Sequence, residues 1–411
     1  MFNQTALFGA ALGIAEPVYI ERIDFDAVQG ELHIYMNFRS GARFACPKCG
    51  RKETPLRDTV DKTWRHLNFF QFKCYIHMRT PRTECPECGV LLMTPPWARS
   101  GSGFTMLFEL LVLTLAKSMP VSDIAKLTGE HDTRLWRIIH SYVDSAYGKK
   151  DMCGVKAVGV DETSVRKGHR YISVFADMDM REVLYCTPGK DASAIGRFKD
   201  ELARHGGNAE NVSELSMDMS PAFISGASEH LPRAEVTFDK FHVVKLLNEA
   251  LDKVRRAEQK INPLLTRSRY IWLKNPGNLT AKQRQKLATL SRENLRTAKV
   301  YQMKLTFQDI YATIKDSTNA EIAIKKWLSW AIRSRLEPVK EFARMLKAHL
   351  AGVLRHFSSK LTAGTSEGIN SHIQQIKARG KGFKNIRNFI SMIYLEMAGL
   401  AIPDFPVAHS R

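Results

Sequence analysis

No stretch of this chain reaches the roughly 20 uninterrupted apolar residues that a helix crossing a membrane needs, which excludes an integral helical membrane protein. Acidic residues are also scarce relative to basic ones. The 411 residues carry 42 Asp plus Glu against 61 Lys plus Arg, a net charge of +19, which argues against a small neutral substrate and for a polyanionic partner, nucleic acid first. Cysteines are few and odd in number: seven, four of them in two Cys-x-x-Cys pairs. That pattern excludes a disulfide framework and points to metal in a reducing compartment. The apolar stretch Ala6 to Ala15 has no Lys or Arg before it and no small-residue cleavage site before Glu16, so it reads as a short helix and not as a signal peptide. The expectation is a soluble, cytoplasmic protein of two to four domains.

What is present is ordered along the chain. Residues 17 to 45 alternate as two or three strands, clearest at Val18-Tyr-Ile20 and Leu32-His-Ile-Tyr-Met36. They lead into Cys46-Pro-Lys-Cys49-Gly50, whose match, Cys85-Pro-Glu-Cys88-Gly89, follows after an interval of 35 residues. Each knuckle offers two thiolates to one side of a tetrahedral Zn²⁺, and the trailing Gly lets the backbone turn around the sulfur. Cys46, Cys49, Cys85 and Cys88 are therefore the expected ligands of a closed, structural zinc; substitution of one by Cys74, His66 or His77, or unmetallated thiols, are the alternatives. Residues 90 to 103, with Pro95-Pro96 and Gly101-Ser-Gly103, read as a linker. Helical spacing from Phe104 to Lys117, Pro120 to Leu127 and Asp132 to Tyr147, broken at Thr128-Gly-Glu130, has the pattern of a helix-turn-helix. Its second helix would bring Thr133, Arg134 and Arg137 towards the major groove, with Trp136 packed; a three-helix bundle without DNA contact is the blander reading.

From Val155 the period changes to alternation. Three strands (155 to 161, 169 to 177, 181 to 187), a helix from about Ala192, a strand near Val212 to Met217, a helix from Pro221 to His230 and a strand Ala234 to Phe238 follow the order of a ribonuclease-H-like core. Three carboxylates stand at element ends: Asp161, Asp218 and Glu367, the last beginning a helix capped by Thr365 or Ser366. Hard oxygen ligands from distant sequence suit Mg²⁺ that must keep positions open for water and phosphate. Asp239, beside His242, is the main rival for the second position; with Asn370 these two are otherwise candidates to orient the ligands. Alternation turns Glu162 away from Asp161, and Asp177 and Asp179 read as turn formers. Between Asp218 and Glu367 lie 148 residues, more than the core needs, so an α-helical insertion is expected; from Lys245 to Lys299 it holds 14 Lys or Arg against 4 Asp or Glu, as a phosphate-tracking surface would.

Taken together, the double knuckle, the helix-turn-helix, Gly159-Val-Asp-Glu162, Asp218-Met-Ser-Pro-Ala-Phe223, Phe238-Asp-Lys-Phe-His-Val-Val-Lys245, and Ser366-Glu-Gly-Ile-Asn370 with Ile376-Lys-Ala-Arg-Gly-Lys-Gly-Phe383 make a chain that resembles the bacterial insertion-sequence DDE transposases of the ISL-three family. The resemblance implies a catalytic triad of Asp161, Asp218 and Glu367 holding Mg²⁺ or Mn²⁺, and DNA contacts that would include Lys377, Arg379 and Lys381. It also implies double-stranded DNA partners, namely the element's terminal inverted repeats and a target, at least a dimer on DNA, and a nucleoid-associated location. The expected fold is multidomain, mixing α+β and α/β. It has strands and a zinc knuckle in residues 1–100, a helix-turn-helix in 101–150, a ribonuclease-H-like core in 151–244 and 361–411, and a basic helical insertion in 245–360. A zinc-finger and helix-turn-helix regulator without catalysis, and a ribonuclease-H-like nuclease or resolvase, are the alternatives.

Overall fold

The computed structural model describes residues 4–166, 170–359 and 363–406. They form two compact units, the first holding residues up to Asp144 together with those from Ala401, the second Ser145–Leu400. No helix among the described residues is long and apolar enough to cross a membrane.

The first unit begins with α1 (Gln4–Ala11), then β1 (Val18–Asp26), β2 (Glu31–Phe38), β3 (Leu56–Phe69), β4 (Phe72–Cys85) and β5 (Gly89–Leu92). The sheet runs β1-β2-β4-β3, with β5 on β4; β2 and β4 are parallel and the other pairs antiparallel. Side chains alternate across a pleated strand, so Leu32, Ile34 and Met36 of β2 and Cys74, Ile76 and Met78 of β4 face one core with Val18, Ile20 and Trp64. The hairpin of β3 and β4, two 14-residue strands, fills the interval between the cysteine pairs, where the sequence pattern suggests no element. Its period is faint because in β3 only Trp64 and Arg65 are buried. Residues 90 to 103 are not a linker. Its first residues belong to β5, and Met93, Trp97 and Ala98 join the core, with the Trp97 ring edge-on to Trp64 at 5.9 Å, because the apolar side chains bury even where prolines and glycines leave the backbone irregular.

Three helices follow, α2 (Met106–Ala116), α3 (Val121–Thr128) and α4 (Asp132–Tyr147). Thr105 caps α2 by accepting from the Phe108 N–H, and Gly129 ends α3 at φ 68°, the left-handed turn the Thr128-Gly-Glu130 break calls for. Arg65 is buried beneath this turn, paired with Glu130 at 3.3 Å and donating to the Thr128 carbonyl at 3.3 Å, which ties the sheet to the helices.

The second unit holds β6 (Ala157–Arg166), β7 (Arg170–Asp177), β8 (Glu182–Pro188), α5 (Ser193–Arg204), β9 (Glu214–Met217), α6 (Pro221–His230), β10 (Glu235–Phe238) and α7 (Lys240–Gln259). Its sheet order is β10-β9-β6-β7-β8, antiparallel through β6, β7 and β8 and parallel through β6, β9 and β10. Strand β6 runs five residues beyond Asp161 instead of ending there, because Glu162, Thr163 and Ser164 keep pairing with β7. The expected start of the next strand at His169 lies outside the described residues.

The rest of α7 with α8 (Arg269–Leu273), α9 (Ala281–Ser291), α10 (Arg296–Thr313), α11 (Ser317–Ile332), α12 (Glu337–Ala348) and α13 (Leu350–Arg355) occupy the stretch expected as an insertion; α14 (Ala363–Arg379) and α15 (Ile386–Met397) close the unit. Val158 and Phe175 of the sheet, Val243 and Leu247 of α7, and Phe307, Trp327 and Phe342 of α10, α11 and α12 belong to one continuous core, so the helices are built onto the sheet and not tethered beside it. Helix α13 approaches β10 closely: a Cβ at Gly352 would lie 2.6 Å from the Phe238 ring.

Several charges of this helical region serve the fold. Buried Glu258 accepts from the N–H groups of Arg296 and Thr297 and from the Thr297 hydroxyl, capping α10 from another helix. Buried Lys304 donates to the carbonyls of Trp272, Leu273 and Lys274 at the end of α8. Asp252 gathers Arg255, Arg256 and Arg269. The basic surplus is thus partly internal, which residue counts alone do not reveal.

Candidate active site and metal centre

The two cysteine knuckles are turns before they are ligands. The Cys46 N–H donates to the Arg51 carbonyl at 2.9 Å and the Gly50 N–H to the Cys46 carbonyl at 3.0 Å, while Gly50 and Gly89 take φ values of 72° and 75°. Strand β4 delivers Cys85 and the turn to β5 delivers Cys88, and all four sulfurs lie within 4.8 Å of one another. N–H groups of Cys49 and Lys48 lower the Cys46 thiol to about 7, whereas burial and the neighbouring thiols push Cys88 up to about 12. Four sulfurs at this spacing cannot all ionise unless a cation shares them, and four soft ligands in tetrahedral reach fit Zn²⁺ with no open position. Cys74, His66 and His77 are not in the group. Cys74 is buried in the sheet core, His66 bonds the Thr105 hydroxyl at 2.9 Å, and His77 meets His33 at 2.9 Å.

In the helix-turn-helix, Leu135, Ile138 and Ile139 face inward and Thr133, Arg134 and Arg137 are exposed on α4. Arg134 is nevertheless engaged: it pairs with Glu130 and lies 4.4 Å over the Phe104 ring. Trp136 is half-buried against His140.

The acidic site forms where parallel strands end, the edge at which sheets of this kind collect ligands. Gly159 pairs with Ser216, so the register carried two residues further sets Asp161 level with Asp218; Phe238 pairs with Met217, which sets Asp239 level with Asp218. Asp218 turns its carboxylate to the Ser220 N–H at 2.9 Å, and Asp239 caps α7 by accepting from the Phe241 N–H at 2.8 Å. One turn into α7, His242 Nε2 lies 3.7 Å from Asp161 Oδ1. Burial disfavours the imidazolium, but the hydrogen bond and charge of Asp161, with Asp218 and Asp239, outweigh it and raise the His242 pKa. For Asp161, burial is outweighed in the same way by His242, the Glu162 N–H and Asn370, and its pKa falls. Asp218 goes the other way, raised by burial and by the charge of Asp161.

Helix α14 is docked on β6 by a polar ladder. Asn370 Nδ2 donates to Asp161, Gln374 to the Thr163 hydroxyl at 2.8 Å, and Lys377 Nζ to the Ser164 hydroxyl at 3.0 Å. The helix begins at Ala363, so Thr365 and Ser366 lie inside it instead of capping it. Glu367 sits one turn before Asn370, exposed, on the wall of a cavity of about 800 Å³ that α7 also lines. Asp161, Asp218 and Glu367 do not converge within 4.8 Å as the cysteines do. Lys377 bonds Ser164 and Arg379 pairs with Glu396, which also takes His372 at 3.3 Å, and both are half-buried; Lys381 is exposed at φ 53° after the helix.

Alternation sets Glu162 aside, and Asn248 and Tyr311 fall in no motif. Glu162 is half-buried, its pKa raised first by burial and then by the charge of Asp218. The cavity wall includes Phe241, Asn248 and Tyr311, of which only Phe241 fell within a motif, the block ending at Lys245. Asp177 is a turn former, its carboxylate accepting from the N–H groups of Asp179 and Met180.

Comparison with known proteins agrees along the chain. Residues 158–393 match a transposase family model of the ISL3 group, residues 93–143 the helix-turn-helix domain of transposase family ISL3, and residues 42–88 the zinc finger of the related insertion-sequence transposases. The chain is 27% identical over 98% of both lengths to the transposase for insertion sequence element IS1557 of Mycobacterium tuberculosis, and 26% identical to that for IS1001 of Bordetella parapertussis, over 93% of this chain and 96% of the relative. With the family model spanning more than half of its residues, and the four-cysteine centre and the helix-turn-helix each matched in turn, this chain belongs to the ISL3 family of DDE transposases.

Proposed function

We propose that this transposase binds the terminal inverted repeats of its own insertion sequence, hydrolyses a phosphodiester bond at each end, and joins the freed 3′-hydroxyl to target DNA. The reading takes residues 151–244 and 361–411 as a ribonuclease-H-like core and 245–360 as its insertion. Residues 1–100 and 101–150 supply the zinc and helix-turn-helix modules that read the ends, in a dimer or larger assembly that holds two ends at once. The sheet order, with the first strand central, two antiparallel strands on one side and two parallel strands on the other, supports the core assignment.

The observation that carries the proposal is the register that sets Asp161 level with Asp218, with one histidine sharing their charge. Asp161, Asp218 and Glu367 are the proposed ligands of Mg²⁺ or Mn²⁺. Oxygen donors, two of them mutually repelling and partly buried, fit such an ion, which when bound would stabilise charge on the attacking and leaving oxygens. The chain's own part is positioning. Asn370 fixes the Asp161 carboxylate, Asp239 starts α7 so that His242 faces the pair, and the ladder of Gln374 and Lys377 sets the helix that carries Glu367. In each step an oxygen, first of water and then of the 3′-hydroxyl, forms a bond to phosphorus as the opposite P–O bond breaks, so no covalent enzyme intermediate is needed.

The test incubates wild type and Asp161→Ala with labelled DNA from the flanks of the gene, a target plasmid and Mg²⁺. The proposal expects products both cut and joined, absent in the variant. Binding without either product would support a regulator, and cutting without joining a nuclease or resolvase.

A further inference from the structure

The cavity beside Glu367 has features that phosphate tracking alone does not account for. Its lining includes two residues with buried polar atoms that find no hydrogen-bond partner among the described residues, Asn248 Oδ1 and the Tyr311 hydroxyl. An unmade hydrogen bond at a buried polar atom is costly, and a ligand in the adjoining cavity is one way to complete it. Phe241, at the same wall, is 60% exposed, a large aromatic face given to solvent one residue before His242. Lys240, Lys245 and Lys274 also line the cavity, and none of them is held in an ion pair with a carboxylate among the described residues, although Asp252 gathers three arginines nearby. About 800 Å³ lies in the range of small-ligand sites and exceeds what a single side chain or a few waters would fill.

We propose that this cavity receives one nucleotide of the processed DNA end, turned out of the duplex beside the cleavage point. Its base stacks on Phe241 and satisfies Asn248 and Tyr311, while its phosphates lie against the lysines. A base offers both a flat π-face and hydrogen-bonding edges, and its flanking phosphates are anions; no other part of a DNA duplex presents all three at once. Removing a base from the stack also bends and frees the strand, which brings the adjoining phosphate within reach of a carboxylate on the same wall, Glu367. The inference rests on the transposase reading for the identity of the DNA, but its signal does not require catalysis.

The test scans 2-aminopurine, which brightens when unstacked and changes again when restacked on an aromatic ring, through each position flanking the cut in a duplex taken from the element end. Ca²⁺ replaces Mg²⁺ to hold the complex uncut. One position should change fluorescence several-fold on binding wild type, and the change should be lost in Tyr311→Phe with Asn248→Leu, while mobility-shift binding persists. A DNA end carrying a mismatch at that position, already unpaired, should restore to the double variant much of the cleavage it loses. Because the Tyr311 hydroxyl is unpartnered without DNA, Tyr311→Phe alone should melt at or above the wild-type temperature, which separates a lost contact from a lost fold. No change at any position, or a change that survives in the double variant, overturns the inference. Asp161→Asn keeps the two readings apart: a fluorescence change in wild type and Asp161→Asn with no Mg²⁺-dependent cutting by wild type would leave the pocket standing and sink the catalytic proposal, and cutting by wild type with no change would do the reverse.

Discussion

In the first unit four thiols from two turns converge so that every sulfur lies within 4.8 Å of the others; in the second, Asp161 lies on β6 and Asp218 just past the end of the neighbouring β9, while Glu367 stands on an exposed turn of α14. The cause is the way each set is supplied. A knuckle brings two ligands on one turn of backbone, so two knuckles at the ends of strands close the zinc site with no help from side-chain packing. The three carboxylates come from a strand, a strand end and a helix, and only the first two share a sheet. Their repulsion is met by groups of the protein itself, His242 and Asn370, whereas burial and the neighbouring thiols raise the pKa values of Cys88 and, against the lowering Arg51 N–H, of Cys49. A structural centre is thereby complete in its protein ligands, whereas the centre proposed for the carboxylates, which would have to admit DNA and exchange ligands, is not.

The largest expected effect falls on the closed centre. Cys85→Ser should release the metal and unfold the surrounding hairpin, since binding of structural zinc contributes about 10 kcal/mol or more to folding of such modules. Zinc content by metal analysis and binding to element ends should fall together, and zinc retained at one ion per chain would break the comparison. Asp161→Asn should instead leave zinc content and end binding intact while cutting slows by at least about 10²- to 10³-fold, the scale of losing one preorganised electrostatic group. A matching loss in Asp218→Asn with full activity in Asp239→Asn would sharpen the assignment, and the opposite pair of results would move the second ligand to Asp239.

Smaller effects test the claim that some of the basic surplus is internal. Glu258→Ala should destabilise the second unit by about 3 kcal/mol, because it strands the buried donors at the start of α10. Denaturant melts would read that loss. Lys377→Met should cost about 1 kcal/mol and lower cutting through a loosened α14, without reducing the salt dependence of DNA binding. A reduced salt slope would return Lys377 to the DNA surface.

Much of this was legible in residue order. The helix Asp132–Tyr147, the helix Pro221–His230, the strand that carries Asp161 and the four cysteines follow from periodicity, turn residues and ligand spacing, which are local properties. Partnership is not local. Sequence reports the charge of Arg134, Lys377 and Arg379, on which the expectation of DNA contact rests, and not their partners Glu130, Ser164 and Glu396 in the fold. Strand β3 was illegible because its outward face is polar and its inward face nearly bare, and the 90 to 103 segment because Pro and Gly mark irregular backbone whether or not it packs. Glu162 was set aside by alternation, which predicts a side of the sheet and not the charge of Asp218 that reaches it.

The central claim is that Asp161 holds the metal used for cutting, and a change of ligand softness tests it most directly. In Asp161→Cys a thiolate replaces a hard oxygen, so cleavage of end DNA is expected to vanish with Mg²⁺ and to return in part with Mn²⁺ or Cd²⁺. Cleavage by that variant in Mg²⁺ at the wild-type rate would contradict the account, because it would take Asp161 out of the metal's coordination altogether.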